Sequence, residues 1–190
     1  MELDRRDGAA LAPLEQLVGS LTETADGLQK IVNSPGVQDG VRSLAATLEQ
    51  AHLVLPGAAT GGAVFVGKFK DAPSLVIGRV PVVLFLHGSS GLGLKAIGEW
   101  QRWLAGLGWA SMAPDSFALP GHVTYKSPID KASYERIHAL RASEIAPTLA
   151  ALKTAPWADA GKLVLAGTSE GSVPVARQAG NDFAAKILFA

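Results

Sequence analysis

Apolar positions between residues 10 and 32 recur at helical spacing. Leu14, Leu17, Val18, Leu21, Ala25, Leu28 and Val32 fall on one face. Asn33-Ser34-Pro35-Gly36 breaks the pattern. Val41, Leu44, Ala45, Leu48, Ala51 and Leu55 then predict a second amphipathic helix, ended by Pro56-Gly57. Residues 1–57 are therefore expected to form a helical hairpin, and residues 58–190 the main domain. Stripes of this kind are packing surfaces, against the domain or another subunit. A lid over a substrate site is the sharper alternative.

From Gly62 the period changes. Ala63–Gly67 and Ser74–Gly78 are short and strand-like, and Pro81–Leu86 is a continuous apolar run suited to a strand buried on both faces. A glycine-rich loop follows, then a helix with Leu94, Ile97, Trp100, Leu104 and Leu107 on one side. Trp109–Ala113 predicts the next strand, and Pro114-Asp115 closes it. One helix is expected through Ile137, Leu140, Ile145, Leu149 and Leu152. Lys162–Ala166 reads as another buried strand, with a short helix from Glu170 to Gly180 after it. Ala185–Phe189 begins one more strand. This alternation predicts an α/β fold, a mainly parallel sheet with helices on both faces. Ligands of such sheets collect at the carboxyl ends of the strands, where the Gly88 loop, Asp115 and Ser169 all fall.

Composition narrows the function. Hydrophobic residues make up 48% of the 190 and charged residues 18%, a globular balance. Lys plus Arg equals Asp plus Glu at 17 each, with no basic run, so neither nucleic acid nor a membrane surface is expected as partner. No cysteine is present, which removes thiolate catalysis and disulfides. No histidine pair has metal-ligand spacing, so neither metal nor cofactor is expected. The N-terminal residues do not read as a signal peptide, no apolar run could span a bilayer, and a cytoplasmic location is expected.

The motif that carries chemistry is Gly167-Thr168-Ser169-Glu170-Gly171, placed between an apolar strand and a helix. A serine on such a turn projects its hydroxyl from the sheet edge in strained backbone geometry. Gly167 and Gly171 let neighbouring backbone pass close. The amide of Glu170 would face a developing oxyanion, and the Glu170 side chain reads as a first-turn helix acid. A second donor is expected from the loop His87-Gly88-Ser89-Ser90-Gly91. Gly88 permits close approach there and the Ser89 amide is the candidate donor. His87, Asp115 and His122 are candidate pocket residues.

These motifs resemble the dienelactone-hydrolase-related branch of the α/β-hydrolase superfamily. The resemblance runs from about Val64 to Ala190. It rests on Phe85-Leu86-His87-Gly88, Ala113-Pro114-Asp115-Ser116-Phe117, the helix carrying Arg141 and Glu144, the Pro156-Trp157 turn and the Ser169 motif. It implies a Ser or Cys nucleophile with an Asp and a His, acting on small esters, lactones or related acyl compounds. Ser169 stands where dienelactone hydrolase proper has Cys, so the lactone substrate does not carry over.

That resemblance also implies an acid and then a base after the nucleophile. Beyond the motif itself only one carboxylate follows Ser169, Asp182, in a turn at the opposite sheet edge, and no histidine does. The sheet is accordingly expected to be unfinished at Ala190, with an association-prone edge that leaves a homo-oligomer open. A rearranged Ser169–His122–Asp115 triad is conceivable, although Asp115 reads as a loop cap. His138 reads as solvated or hydrogen-bonded on its helix. Two other functions compete: a hydrolase fragment without its acid and base, and a dinucleotide site at Gly91-Leu92-Gly93-Leu94-Lys95-Ala96. The second needs Asp115 on a ribose and leaves the Ser169 motif unexplained.

Overall fold

The computed structural model describes residues 8–119 and 122–189. The side chains of residues 8–18 and of Val32 fall outside that description. Leu14, Leu17, Val18 and Val32 of the first stripe are therefore not placed, nor are residues 1–7, Pro120, Gly121 and Ala190. The chain divides into two compact units, Met1–Arg42 and Ser43–Ala190.

Helix α1 spans Gly8–Val32, and α2 spans Pro35–Gln50 across the boundary between the units. Leu21, Leu28 and Val41 are exposed. The second helix stops well short of Leu55. His52–Leu55 is instead a strand, β1, with Leu53, Val54 and Leu55 fully buried. A short apolar run satisfies either period, and here pairing with two neighbouring strands decided it. The sheet thus begins within the segment that the periodicity assigns to the hairpin.

A short helix, α3 (Gly57–Thr60), leads to β2 (Phe65–Lys68). The Ser74–Gly78 segment, expected to be a strand, is not one. Leu75 and Ile77 are exposed, and the Ile77 amide donates to Ala59 O at 3.0 Å instead of joining a ladder. Next come β3 (Val80–Leu86), α4 (Lys95–Gly106) and β4 (Ala110–Ala113). The expected helix through residues 137–152 is two, α5 (Lys131–Ala142) and α6 (Ile145–Thr154). Strand β5 (Ala158–Thr168), α7 (Ser172–Arg177) and β6 (Ala185–Phe189) complete the chain.

The six strands lie in the order β2-β1-β4-β3-β5-β6. β1 runs antiparallel to both neighbours, while β4, β3, β5 and β6 are mutually parallel. Alternation along β3 sorts its side chains to two faces. Val82, Leu84 and Leu86 join Ile145 and Leu152 of α6 with Val175 of α7. Val83 and Phe85 join Ile97 and Leu104 of α4. This is an α/β fold with helices on both faces of a mainly parallel sheet. The loops after β3, β4 and β5 meet at one edge because those strands are parallel. Among the described residues no helix is long and apolar enough to cross a membrane.

Trp157 is 2% exposed in the larger core and packs edge-on against Phe69, their ring centroids 6.4 Å apart. Trp157→Ala should lower unfolding free energy by about 3–5 kcal/mol in a urea titration. Leu75→Ala, at an exposed position, should change it by less than about 0.5 kcal/mol.

Candidate functional site

Ser169 follows directly on the last residue of β5 and begins a 3-10 turn, Ser169–Gly171, ahead of α7. Its φ is 49°, the one non-glycine residue with positive φ among those described. Such a conformation costs about 1–3 kcal/mol and persists only where the surroundings enforce it. Two glycines do so here. A Cβ on Gly171 would lie 2.2 Å from Leu86 O and 2.7 Å from His87 O. A Cβ on Gly167 would lie 2.3 Å from Gly171 O. The turn after β5 is therefore pressed against the end of β3 at a distance no side chain allows.

Gly88 completes the contact from the other side. A Cβ there would meet Ser169 Cβ and Thr168 O, both at 3.3 Å. Ser89, Ser169 and Glu170 line one cleft of about 440 Å3. Tyr125, Tyr134 and His138 line it too, from the loop before α5 and from α5 itself. The early amides of a 3-10 turn have no acceptor within it, so the Glu170 N–H is available to an anion. Ser172 Oγ lies 2.8 Å from both Gly167 O and Phe189 O, which links the turn to the end of β6.

Behind the cleft is a buried ionic cluster. Arg141 is fully buried; its Nη2 lies 3.3 Å from Glu144 Oε2 and its Nη1 3.7 Å from Glu170 Oε1. Arg141 Nη1 also donates to Ser116 Oγ at 2.5 Å. Tyr125 Oη donates to Glu170 Oε2 at 2.8 Å. Burial raises the Tyr125 pKa, and its bond to the Glu170 carboxylate adds to the shift. Glu170 is thus more than a first-turn acid, since its carboxylate is the buried junction between Arg141 and Tyr125. Burial pushes the Glu144 carboxyl up to about 8; Arg141 opposes this, while Glu170 and Asp115 add to it. Arg141, Glu144, Tyr125 and Ser116 were not legible as a cluster, because burial of charge on α5 leaves no mark in helical periodicity.

The other expected site residues take separate places. His87 is fully buried, with Nδ1 2.7 Å from Gly88 O and Nε2 accepting from the Ser116 amide at 3.2 Å. Both ring nitrogens are engaged in holding the loop. Burial, reinforced by Arg141, lowers its pKa to about 3. Asp115 accepts from the Phe117 amide at 3.1 Å, as a loop cap does. His122 packs against Phe117, ring centroids 4.4 Å apart, and burial lowers its pKa. Neither Asp115 nor His122 lines the Ser169 cleft, whereas His138 does, stacked on Tyr134. Asp182 pairs with Lys153 at 2.7 Å in its turn. The Gly91 motif is occupied from within: its φ is +73°, and a Cβ there would lie 2.3 Å from the Phe117 ring. Among the described residues no group of three His, Asp or Glu side chains could hold a metal.

No family model matches the chain, and no curated protein does. Among solved structures the chain is similar to a dienelactone hydrolase-like promiscuous phosphotriesterase from metagenomic libraries. Identity is 22% over 73% of this chain and 58% of that one, with a TM-score of 0.49. Est1E from Butyrivibrio proteoclasticus matches at 18% identity over 66% of this chain and 38% of its own, TM-score 0.42. A cold-adapted esterase from an Arctic intertidal metagenomic library matches at 18% identity over 73% and 60%, TM-score 0.42. The chain spans between 38% and 60% of the length of these three structures.

Two outcomes are expected. Gly171→Ala should destabilise the fold by about 1–3 kcal/mol, read as a lower urea midpoint, because carbonyls of the β3 end must move. The second concerns pH. Between pH 3 and 6.5 the unfolded chain binds a proton at His87 that the folded chain does not, so this group makes stability rise with pH. Between pH 4.5 and 8 the folded chain keeps a proton on Glu144 that the unfolded chain releases, so this group makes stability fall. Above pH 6.5 only the Glu144 decline remains of the two. Glu144→Gln should flatten that decline in urea midpoints measured from pH 6.5 to 8.

Proposed function

We propose that the chain carries the nucleophile of a serine hydrolase, of the α/β-hydrolase superfamily and its dienelactone-hydrolase-related branch. Its substrates are small esters, lactones or related acyl compounds. The reading rests on one observation: Ser169 is held at positive φ on a strand-to-helix turn, in a cleft it shares with Ser89.

Ser169 Oγ attacks the carbonyl carbon while a base takes its proton. The new Oγ–C bond pushes the π electrons onto the carbonyl oxygen. The Ser89 and Glu170 amides hold that oxyanion, a role worth about 2.7–4 kcal/mol for a single donor. Collapse breaks the bond to the leaving alkoxide, which takes the proton from the base. Water, deprotonated by the same base, then attacks the acyl carbon; collapse breaks the C–Oγ bond, Ser169 Oγ takes the proton back from the base, and the acid leaves. Among the described histidines, His138 is the one that lines the cleft. The competing dinucleotide reading is disfavoured because the Phe117 ring sits over Gly91, where a pyrophosphate would need to approach.

A fluorophosphonate probe should add covalently to Ser169, located by peptide mass mapping, and Ser169→Ala should abolish the adduct. A folded sample without the adduct would overturn the proposal. His138→Ala should slow labelling by about 10²–10⁴-fold where His138 is the base. Unchanged labelling would exclude His138 as the base.

A further inference from the structure

Helix α5 faces two different cavities. Tyr134 and His138, four residues apart, line the Ser169 cleft. Ser133, Arg136, Ile137 and Leu140 follow the i, i+3, i+4, i+7 spacing of a neighbouring face and line a second cavity of about 360 Å3. Its opposite wall is Val123, Tyr125 and Ile129 of the preceding loop. Tyr125 lines both cavities. The bond from its hydroxyl to Glu170 Oε2 anchors the ring where the two cavities adjoin.

We propose that this second cavity is the acyl-chain subsite of the Ser169 site, taking the hydrocarbon chain of an acyl group. The proposal rests on the reading of Ser169 as the acyl acceptor. Four of the seven lining residues are aliphatic. Of the two polar ones on α5, Arg136 Nη2 donates to Ser133 Oγ at 2.9 Å, and Ser133 Oγ donates to Asp130 Oδ2 at 2.6 Å. Val123 is 58% exposed, an apolar surface that a bound chain would cover. The volume is at the lower end of ligand pockets, which begin at about 300 Å3.

Octanamide probes the cavity without any chemistry, by isothermal calorimetry on the full chain. Each methylene that enters should strengthen binding about fourfold. Leu140→Trp, which fills the cavity, and Val123→Asp, which charges its mouth, should each weaken octanamide binding at least about tenfold, the loss of two methylenes. If one variant fails to unfold cooperatively, the other decides. Octanamide affinity unchanged in a folded variant overturns the proposal. In parallel, an octyl fluorophosphonate should label Ser169 faster than an ethyl one, a preference that Leu140→Trp removes. Normal octanamide binding with no labelling by either probe would overturn the hydrolase reading, and with it the acyl assignment.

Discussion

The structure turns on a backbone contact that only glycine permits. The turn after β5 presses on the end of β3 so closely that a single methyl group at Gly171 would sit 2.2 Å from the Leu86 carbonyl oxygen. This contact brings the two loops that flank the cleft together and forces Ser169 out of the ordinary backbone regions. It also leaves the Ser89 side of the β3 loop facing the same space. A hydrophobic core alone would tolerate shifts of an ångström at this point; a contact between two backbones does not.

The ionic cluster around Arg141 supports the site from below. A buried cation is costly, and removing one partner leaves an uncompensated charge. Arg141 meets Glu144 at the N-cap of α6, Glu170 on the Ser169 turn, and Ser116 on the β4 loop. It therefore ties α5 to two of the three loops at the active edge of the sheet. His87, neutral and bonded through both nitrogens, ties in the third. The loops that line the Ser169 cleft are thus joined by polar contacts, while apolar packing holds the layers beneath them.

Much of this was legible in the sequence. The buried strand β3 and the Leu163–Ala166 stretch of β5 are continuous apolar runs, and Gly88, Gly167 and Gly171 mark the close approaches. The loop-capping role of Asp115 follows from its position after Pro114. The misreadings have physical causes. Leu53–Leu55 fits helical and extended periods equally, and only its pairing partners β2 and β4 decide between them. Ser74–Gly78 has strand composition but finds no neighbour. The burial of Arg141 and the facing of His138 into the cleft depend on how α5 rolls against α7, fixed in part by the Glu135–Arg177 pair across them. No local pattern encodes that roll.

The Ser172 hydroxyl carries one proton and has two carbonyl oxygens in reach, Gly167 O and Phe189 O, each at 2.8 Å. The two acceptors must share it. A tighter bond to the end of β6 is a looser bond to the turn that carries Ser169, and the reverse. The outer strand and the Ser169 turn are therefore coupled with opposite sign. Whatever orders or pulls on the end of β6 is felt as slack or tension one residue before Thr168, in the backbone that sets the angle of the serine hydroxyl.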